Sequence, residues 1–326
     1  MTTPDIDPAV TDRDNPPQAA VALALGGGIA RGFAHIGVLE VLAENGIKPS
    51  IICGTSIGAL AGAAFSLGKL DEFKEWAMSL NRMRVFSYLD FKVKSAGLIG
   101  GNKLEDVMRQ HFGTMNIEDM PHRFTAIASD LVTGHEVWLR KGELIPALRA
   151  SFALPGVFAP VDLDGRFLVD GALVNPVPVA PCLAMGAMMT IAVDLNADIM
   201  GKTRKPGTSY ATIAGFDALD KNALPEQEHN KIRNSTLGQR LFRRQENTPS
   251  LFGVMVSALG ILQDRLTRSR LAGDPPDIHI KPSIGHIGLM EFEKATELVA
   301  LGREAAEKAM PDIQDAYRVF FGAPPR

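Results

Sequence analysis

The sequence predicts an α/β protein built on a largely parallel sheet. Three observations carry that expectation. Two short apolar runs, "VALAL" at 21–25 and "SIIC" at 50–53, each end in a glycine-containing turn that leads into a helical pattern. Further runs of this kind alternate with helix-length segments down the chain, which is the pattern of a sheet covered by helices. The composition, 46% hydrophobic and 22% charged over 326 residues, is globular and supplies enough chain for a large core.

The elements follow in order. Residues 1–19 are polar and proline-containing, with no basic start and no apolar stretch of the signal-peptide kind, so they are expected to form a disordered tail before a single domain at 20–326. "VALAL" is continuously apolar, as a strand covered on both faces must be. A helix is expected over 30–44, with Ile36, Leu39, Val41 and Leu42 on its apolar face and Asn45-Gly46 as its stop. The run at 50–53 is the second strand, and 57–67 a small-residue helix closed by Gly68. Two strands joined by a helix of that length make a parallel βαβ unit. The uncharged stretch 50–68 has the length of a membrane span, but Gly54-Thr55-Ser56 interrupts it, and strand, turn and helix fit it better.

Strands are further expected at 124–129, 135–140, 166–170 and 189–195, and helices at 71–83, 102–112, 143–152, 179–185 and 289–310. Residues 198–250 are polar without a sustained period and read as a mobile surface insertion. The segment 251–270 after it is apolar nearly all round and ends with Arg265, Arg268 and Arg270. Burial against the body is the first reading, and peripheral contact with an anionic membrane surface the second.

Composition narrows the function. A net charge of −3 leaves no basic excess for nucleic acid. Cys53 and Cys182 stand alone in the sequence and form no metal or redox motif, which fits core thiols in a reducing, cytoplasmic compartment. No metal and no cofactor is implied. Oligomeric state is not written in the sequence, and a homo-oligomer is compatible with it.

The chemistry concentrates in two turns. "GGGIARG" at 26–32 aligns with a dinucleotide fingerprint, but the next strand ends in Cys53-Gly54-Thr55-Ser56 and offers no carboxylate for a ribose. "GTSIG" at 54–58 is Gly-x-Ser-x-Gly between a strand and a helix, the context of a nucleophile elbow. Gly54 and Gly58 leave room for the sharp turn, and Ser56 sits at a helix N-terminus that favours developing negative charge. A plain N-capping serine is the bland alternative. An adjacent strand ending in Gly26, Gly27 and Gly28 places main-chain amides beside Ser56, where an ester under attack becomes an alkoxide. Arg31 adds charge at that rim, or else is a surface arginine or one that pairs with a carboxylate.

The serine needs a base. His279 and His286 come late enough for a Ser, acid, His order, while His35 reads as a packed or capping residue. Asp170, at the end of 166–170 and followed by Gly171-Ala172, is the other candidate, pointing from a strand's carboxyl end into the crevice of the two glycine turns. Its bland reading is an Asp-Gly turn.

These segments together resemble the patatin-like phospholipase family. "GGGIARG" is similar to its glycine-rich oxyanion motif, "GTSIG" to its nucleophile motif, "ASFALPGVFAPV" at 150–161 to a Ser-x-Ala-x-Pro-Gly-x-Phe-x-Pro segment that packs near the site, and "VDGALVNPVPV" at 169–179 to its Asp-Gly-Gly/Ala motif. The resemblance covers about 20–195 well. It implies a three-layer α/β/α sandwich, Ser56 as nucleophile, Asp170 as base of a Ser–Asp dyad, and Gly26, Gly27, Gly28 and Arg31 around the oxyanion. The implied activity is a lipid acyl hydrolase of the phospholipase A or lysophospholipase type, with a lipid or phospholipid as partner. A general esterase or thioesterase, and a non-catalytic lipid-binding regulator, are the rival readings.

Overall fold

A computed structural model describes residues 20–80, 102–197 and 251–322. The expected tail at 1–19 and insertion at 198–250 lie outside the described residues. The elements in chain order are β1 (Val21–Leu25), α1 (Ala34–Glu44), β2 (Ile51–Thr55), α2 (Ile57–Ser66), α3 (Leu70–Ser79), α4 (Asn102–Phe112), β3 (Arg123–Asp130), β4 (Glu136–Leu139), α5 (Leu144–Ser151), β5 (Val161–Leu163), β6 (Arg166–Asp170), α6 (Val179–Ala184), β7 (Met189–Val193), α7 (Leu251–Gly273), β8 (Ile278–Ile280) and α8 (Ala295–Phe321).

The eight strands make one sheet in the order β5-β6-β3-β2-β1-β7-β8, with β4 also paired to β3. β3, β2, β1, β7 and β8 are parallel, while β4, β5 and β6 join antiparallel. Side chains alternate across the strands and sort by size. Val21, Leu23, Leu25, Ile52, Ile191 and Val193 pack in one core with α1, α2 and α8. Ala22, Ala24, Ile51, Cys53 and Ala192 face the other way, against Val179 and Cys182 of α6 and Leu271 of α7. Helices thus cover both faces, as the three-layer expectation requires. α1 and α8 touch backbone to backbone: a Cβ on Gly37 would lie 2.0 Å from the Val299 carbonyl oxygen, and one on Gly302 2.0 Å from that of Ala34.

The antiparallel part departs from the largely parallel sheet that the sequence predicts, and it decides where Asp170 stands. Along β3 the amide of Arg123 donates to Ser50 before β2, that of Asp130 donates to His135 on the β4 side, and that of Leu131 donates to Phe167 of β6. Backbone groups alternate sides along a strand. Odd residues therefore face β2 and β6, and even residues face β4. β2 and β6 share one edge of β3 end to end: Thr55 pairs with Ile127, and Asp170 pairs with Ala128 one residue on. Asp170 reaches the crevice because β6 runs head-on into the end of β2, not because it tops a parallel strand.

Helix boundaries also differ, among them the end of α3 at Ser79 rather than 83. The segment before α1 is a 3-10 turn, Ile29–Phe33, entered by Ile29 at φ 52°. The last helix starts at Ala295 rather than 289, because the Leu289 carbonyl accepts from Ala30 and binds this stretch to the 3-10 turn. It then runs through Pro311 to Phe321. α7 divides between the two readings of 251–270. Val256, Gln263, Asp264 and Thr267 are buried, whereas Val254, Ile261 and Leu262 are exposed. Arg268 bonds to Asp264, and Arg270 to Glu136 and the Val174 carbonyl. Among the described residues no helix is long and apolar enough to cross a membrane.

Candidate active site

Ser56 caps α2 with φ 56° and ψ −126°, a conformation that side chains rarely adopt. Such strain costs about 1–3 kcal/mol and persists only where surroundings enforce it. The flanking glycines are part of that enforcement. A Cβ on Gly54 would lie 2.4 Å from the Ala59 Cα, and one on Gly58 would lie 2.2 Å from the Leu25 carbonyl oxygen. The turn is closed tightly enough that only hydrogen fits at either place.

Three long-range hydrogen bonds hold the rest. The Thr55 hydroxyl donates to the Asn175 carbonyl at 2.8 Å. The Ser56 amide donates to the Ser151 hydroxyl at 2.9 Å, and that hydroxyl donates onward to the Ile127 carbonyl at 2.6 Å. Ile127 is where β2 stops pairing, so Ser151 satisfies two backbone groups that the elbow takes out of the ladder.

The Ser56 hydroxyl donates to Asp170 Oδ2 at 2.8 Å. The other carboxylate oxygen accepts from the Ala172 amide at 2.8 Å, and the Asp170 carbonyl accepts from the Ser129 hydroxyl at 2.8 Å. The Asp170 amide donates to Ala153 at 3.0 Å. Asp170 is 2% exposed and Ser56 6%. Burial pushes the Asp170 carboxyl up to about 6, against the opposing pull of the Ala172 amide and the Ser56 hydroxyl. It is therefore an anion at neutral pH and a far better proton acceptor than an ordinary aspartate.

The histidines stand elsewhere. His279 is 3.4 Å from Asp194, and His286 is exposed and bonded to Glu297. His35, fully buried, donates from Nε2 to the Gly26 carbonyl at 2.7 Å, and burial lowers it to about 4, so the ring is neutral.

The glycine turn lies over the serine: a Cβ on Gly27 would sit 3.4 Å from the Ser56 Cβ. Its amides are divided, which corrects the expectation that all three glycines face the oxyanion. Gly26 donates to Val193 and Gly27 to Pro176. The reason is the register: β1 and β7 are in step through Leu25 and Val193, and the ladder runs one residue past the strand end. Among the described residues, the amides of Gly28 and Ile29 have no protein acceptor, and Ile29 lines the cavity above Ser56. Their orientation is set from behind. The Gly27 carbonyl accepts from Asn196 Nδ2 at 3.3 Å, and the Gly28 carbonyl accepts from the Arg31 amide at 3.1 Å. In a trans peptide the N–H points opposite to the C=O, so pinning these carbonyls aims the Gly28 and Ile29 donors the other way. Arg31 departs from its expected place. Its side chain is buried, with Nε donating to the Ile287 carbonyl at 2.7 Å and a second nitrogen to Gly285, so it ties the 285–287 segment down instead of facing the oxyanion.

The cavity above the dyad encloses about 120 Å³. Phe33, Leu60, Trp76, Phe152 and Phe158 line it together with Ser56 and Asp170. An apolar chamber bordered by a hydroxyl and a carboxylate is suited to an acyl group. Among the described residues no group of three or more His, Cys, Asp or Glu side chains is placed to hold a metal ion.

Comparison with known proteins gives the chain its relatives. The family model for patatin-like phospholipase matches residues 23–183. An uncharacterized NTE family protein of Mycobacterium tuberculosis is 36% identical over 327 residues, covering 89% of this chain and 91% of that protein. The lysophospholipase NTE1 of Coccidioides immitis is 29% identical over 305 residues, covering 91% of this chain but only 18% of that longer protein. The patatin-like phospholipase domain-containing protein 7 of Rattus norvegicus is 35% identical over 185 residues, covering 55% of this chain and 14% of its own length. With similarity running through nearly the whole of one relative and a family match that brackets the glycine turn, the elbow and Asp170, this chain belongs to the patatin-like phospholipase family of lipid hydrolases.

Proposed function

We propose that the chain hydrolyses carboxylic esters of lipids through a Ser56–Asp170 dyad and an acyl-enzyme. The observation that carries this reading is the 2.8 Å hydrogen bond from the Ser56 hydroxyl to a carboxylate raised to about 6, at the floor of an apolar chamber. Asp170 takes the proton as the Ser56 oxygen adds to the ester carbonyl. The carbonyl oxygen becomes an alkoxide and accepts from the Gly28 and Ile29 amides, donors of a kind each worth roughly 10²–10³ in rate. Collapse breaks the ester C–O bond, and the leaving alkoxide receives the proton from Asp170. Water then adds to the acyl-enzyme and gives a proton to Asp170. The second collapse frees the fatty acid and returns that proton to Ser56. The name of the Coccidioides relative favours a lysophospholipid among the candidate lipids.

The test is product analysis. Phosphatidylcholine vesicles, lysophosphatidylcholine and a short-chain nitrophenyl ester are incubated with the protein, and free fatty acid is read by mass spectrometry. Fatty acid from the lipids at a kcat/KM above that for the short ester is expected. Turnover of the short ester alone would make this a general esterase or thioesterase, and lipid binding without product a regulator.

Ser151 yields a further expectation. Ser151→Ala leaves the Ser56 amide and the Ile127 carbonyl unsatisfied in the interior, at about 1–3 kcal/mol for such a group. The elbow loses its anchor, so kcat is expected to fall roughly tenfold or more with little change in KM, since a misplaced reacting atom costs rate rather than binding. Ser151→Thr, which keeps the hydroxyl, recovers part of the loss. Steady-state kinetics beside a thermal melt checks this: a lowered melting point with unaltered kcat would reduce Ser151 to a packing residue.

A further inference from the structure

The apolar chamber over Ser56 has a neighbour. A second, smaller cavity of about 20 Å³ lies among α2, α3 and α4, lined by Phe73, Val107, Met108 and Phe112. Leu60, Trp76 and Leu104 line both cavities. Of these three, Trp76 is the largest and is braced in place. Its ring stacks on Phe73 with centroids 5.7 Å apart and planes at 21°, and stands edge-on to Phe33 at 6.3 Å and 85°. Lys69, Glu72 and His111 also line the second cavity, so Trp76 borders both the apolar chamber that holds Ser56 and a neighbouring space with polar side chains in its wall.

Resting on the acyl-hydrolase reading above, we propose that Trp76 is a specificity-determining residue: it closes the far end of the acyl chamber and sets the length of acyl chain that the enzyme prefers. Each methylene buried against apolar side chains stabilises a bound chain by about 0.8 kcal/mol, roughly fourfold in kcat/KM. The gain lasts only while cover is available. For a series of esters, kcat/KM therefore rises with carbon number until the chain tip meets the indole, and then levels off. Removing the indole joins the two cavities and gives the next methylenes somewhere to go. The braced ring geometry makes Trp76 a wall rather than a mobile side chain, because swinging it aside breaks both the stack on Phe73 and the edge contact with Phe33.

The experiment uses the full chain and nitrophenyl esters from acetate to palmitate, each below its micelle concentration, with every kcat/KM divided by that for acetate. Trp76→Ala is expected to move the levelling-off point to longer chains. Two further covered methylenes correspond to a rise of roughly 15-fold in the long-chain ratio. Val107→Phe, which fills the second cavity, is expected to move the point back when combined with Trp76→Ala. Trp76→Leu, gentler on the aromatic cluster, gives a smaller shift in the same direction and serves if the alanine variant does not fold. A levelling-off point that stays at the same carbon number in the folded variants overturns the assignment of Trp76. Turnover that persists in Ser56→Ala across the whole series overturns the acyl-hydrolase reading instead, so the two failures are told apart.

Discussion

Ser56→Ala is expected to remove esterase turnover by a factor on the order of 10⁴–10⁶ and to abolish labelling by a fluorophosphonate probe. Ser56 is the hydroxyl that reaches Asp170, the glycine turn and the apolar chamber together. Without it, Asp170 Oδ2 loses its hydroxyl donor while remaining buried, so the folded protein becomes less stable at neutral pH by about 1–3 kcal/mol. A paired variant separates the chemistry from the backbone. Ser56→Gly loses turnover equally, but φ 56° with ψ −126° suits glycine, so it should be more stable than Ser56→Ala by about 1–3 kcal/mol. Probe adducts mapped by mass spectrometry and denaturant melts of the two variants check both halves. An adduct that survives in either variant would place the nucleophile on another side chain.

What could be read from the sequence was what is local in it. Gly54, Ser56 and Gly58 form one strand-to-helix turn, and a turn is written in consecutive residues. The parallel core was legible for the same reason, since a buried parallel strand is continuously apolar, as "VALAL" and "MTIAV" are. Asp170 was found by its position after a strand and before Gly171, although the strand's direction was not. Pairing direction depends on which edge of β3 is vacant, and β2 leaves one by stopping at Thr55. The amides without a protein acceptor are those of Gly28 and Ile29 rather than Gly26 and Gly27, because "GGG" does not reveal how far the β1–β7 ladder runs. Ser151 and Asn196 left little trace. Each acts on main-chain atoms 95 and 169 residues away, contacts that impose no period on the chain around them. Ser151 does fall in the 150–161 segment, which resembles the family motif that packs near the site.

Asp170→Asn should lower kcat by about 10²–10⁴, the usual worth of a positioned base, while the amide still fits between Ser56 and Ala172. In the unmodified protein kcat/KM should rise with pH through about 6 as the carboxyl ionises, then level off. In the variant that inflection disappears. A second consequence separates base from scaffold. Raised in the fold from 3.8 to about 6, Asp170 contributes stability that is present below pH 3.8 and lost as pH rises to about 6, roughly 3 kcal/mol in all. His35 works the other way. Lowered from 6.5 to about 4, it contributes stability that is present above pH 6.5 and lost as pH falls to about 4, again roughly 3 kcal/mol, and His122 is shifted in the same direction. Between pH 6 and pH 4 the Asp170 and His35 contributions oppose each other, so the unmodified protein loses activity on acidification faster than it loses stability. Asp170→Asn removes only the first of them. The variant should be more stable than the parent by about 3 kcal/mol at pH 7, and that advantage should vanish near pH 4, leaving acid sensitivity to His35 and His122 and, at lower pH, to the carboxyls of Asp130, Glu44 and Glu297, which their hydrogen-bond partners hold below the ordinary range. Urea melts at pH 4, 5.5 and 7 measure this directly. Near-normal turnover in a folded Asp170→Asn variant would show that the carboxyl is not the base, and an advantage independent of pH would show that it is not the buried anion that its environment makes it.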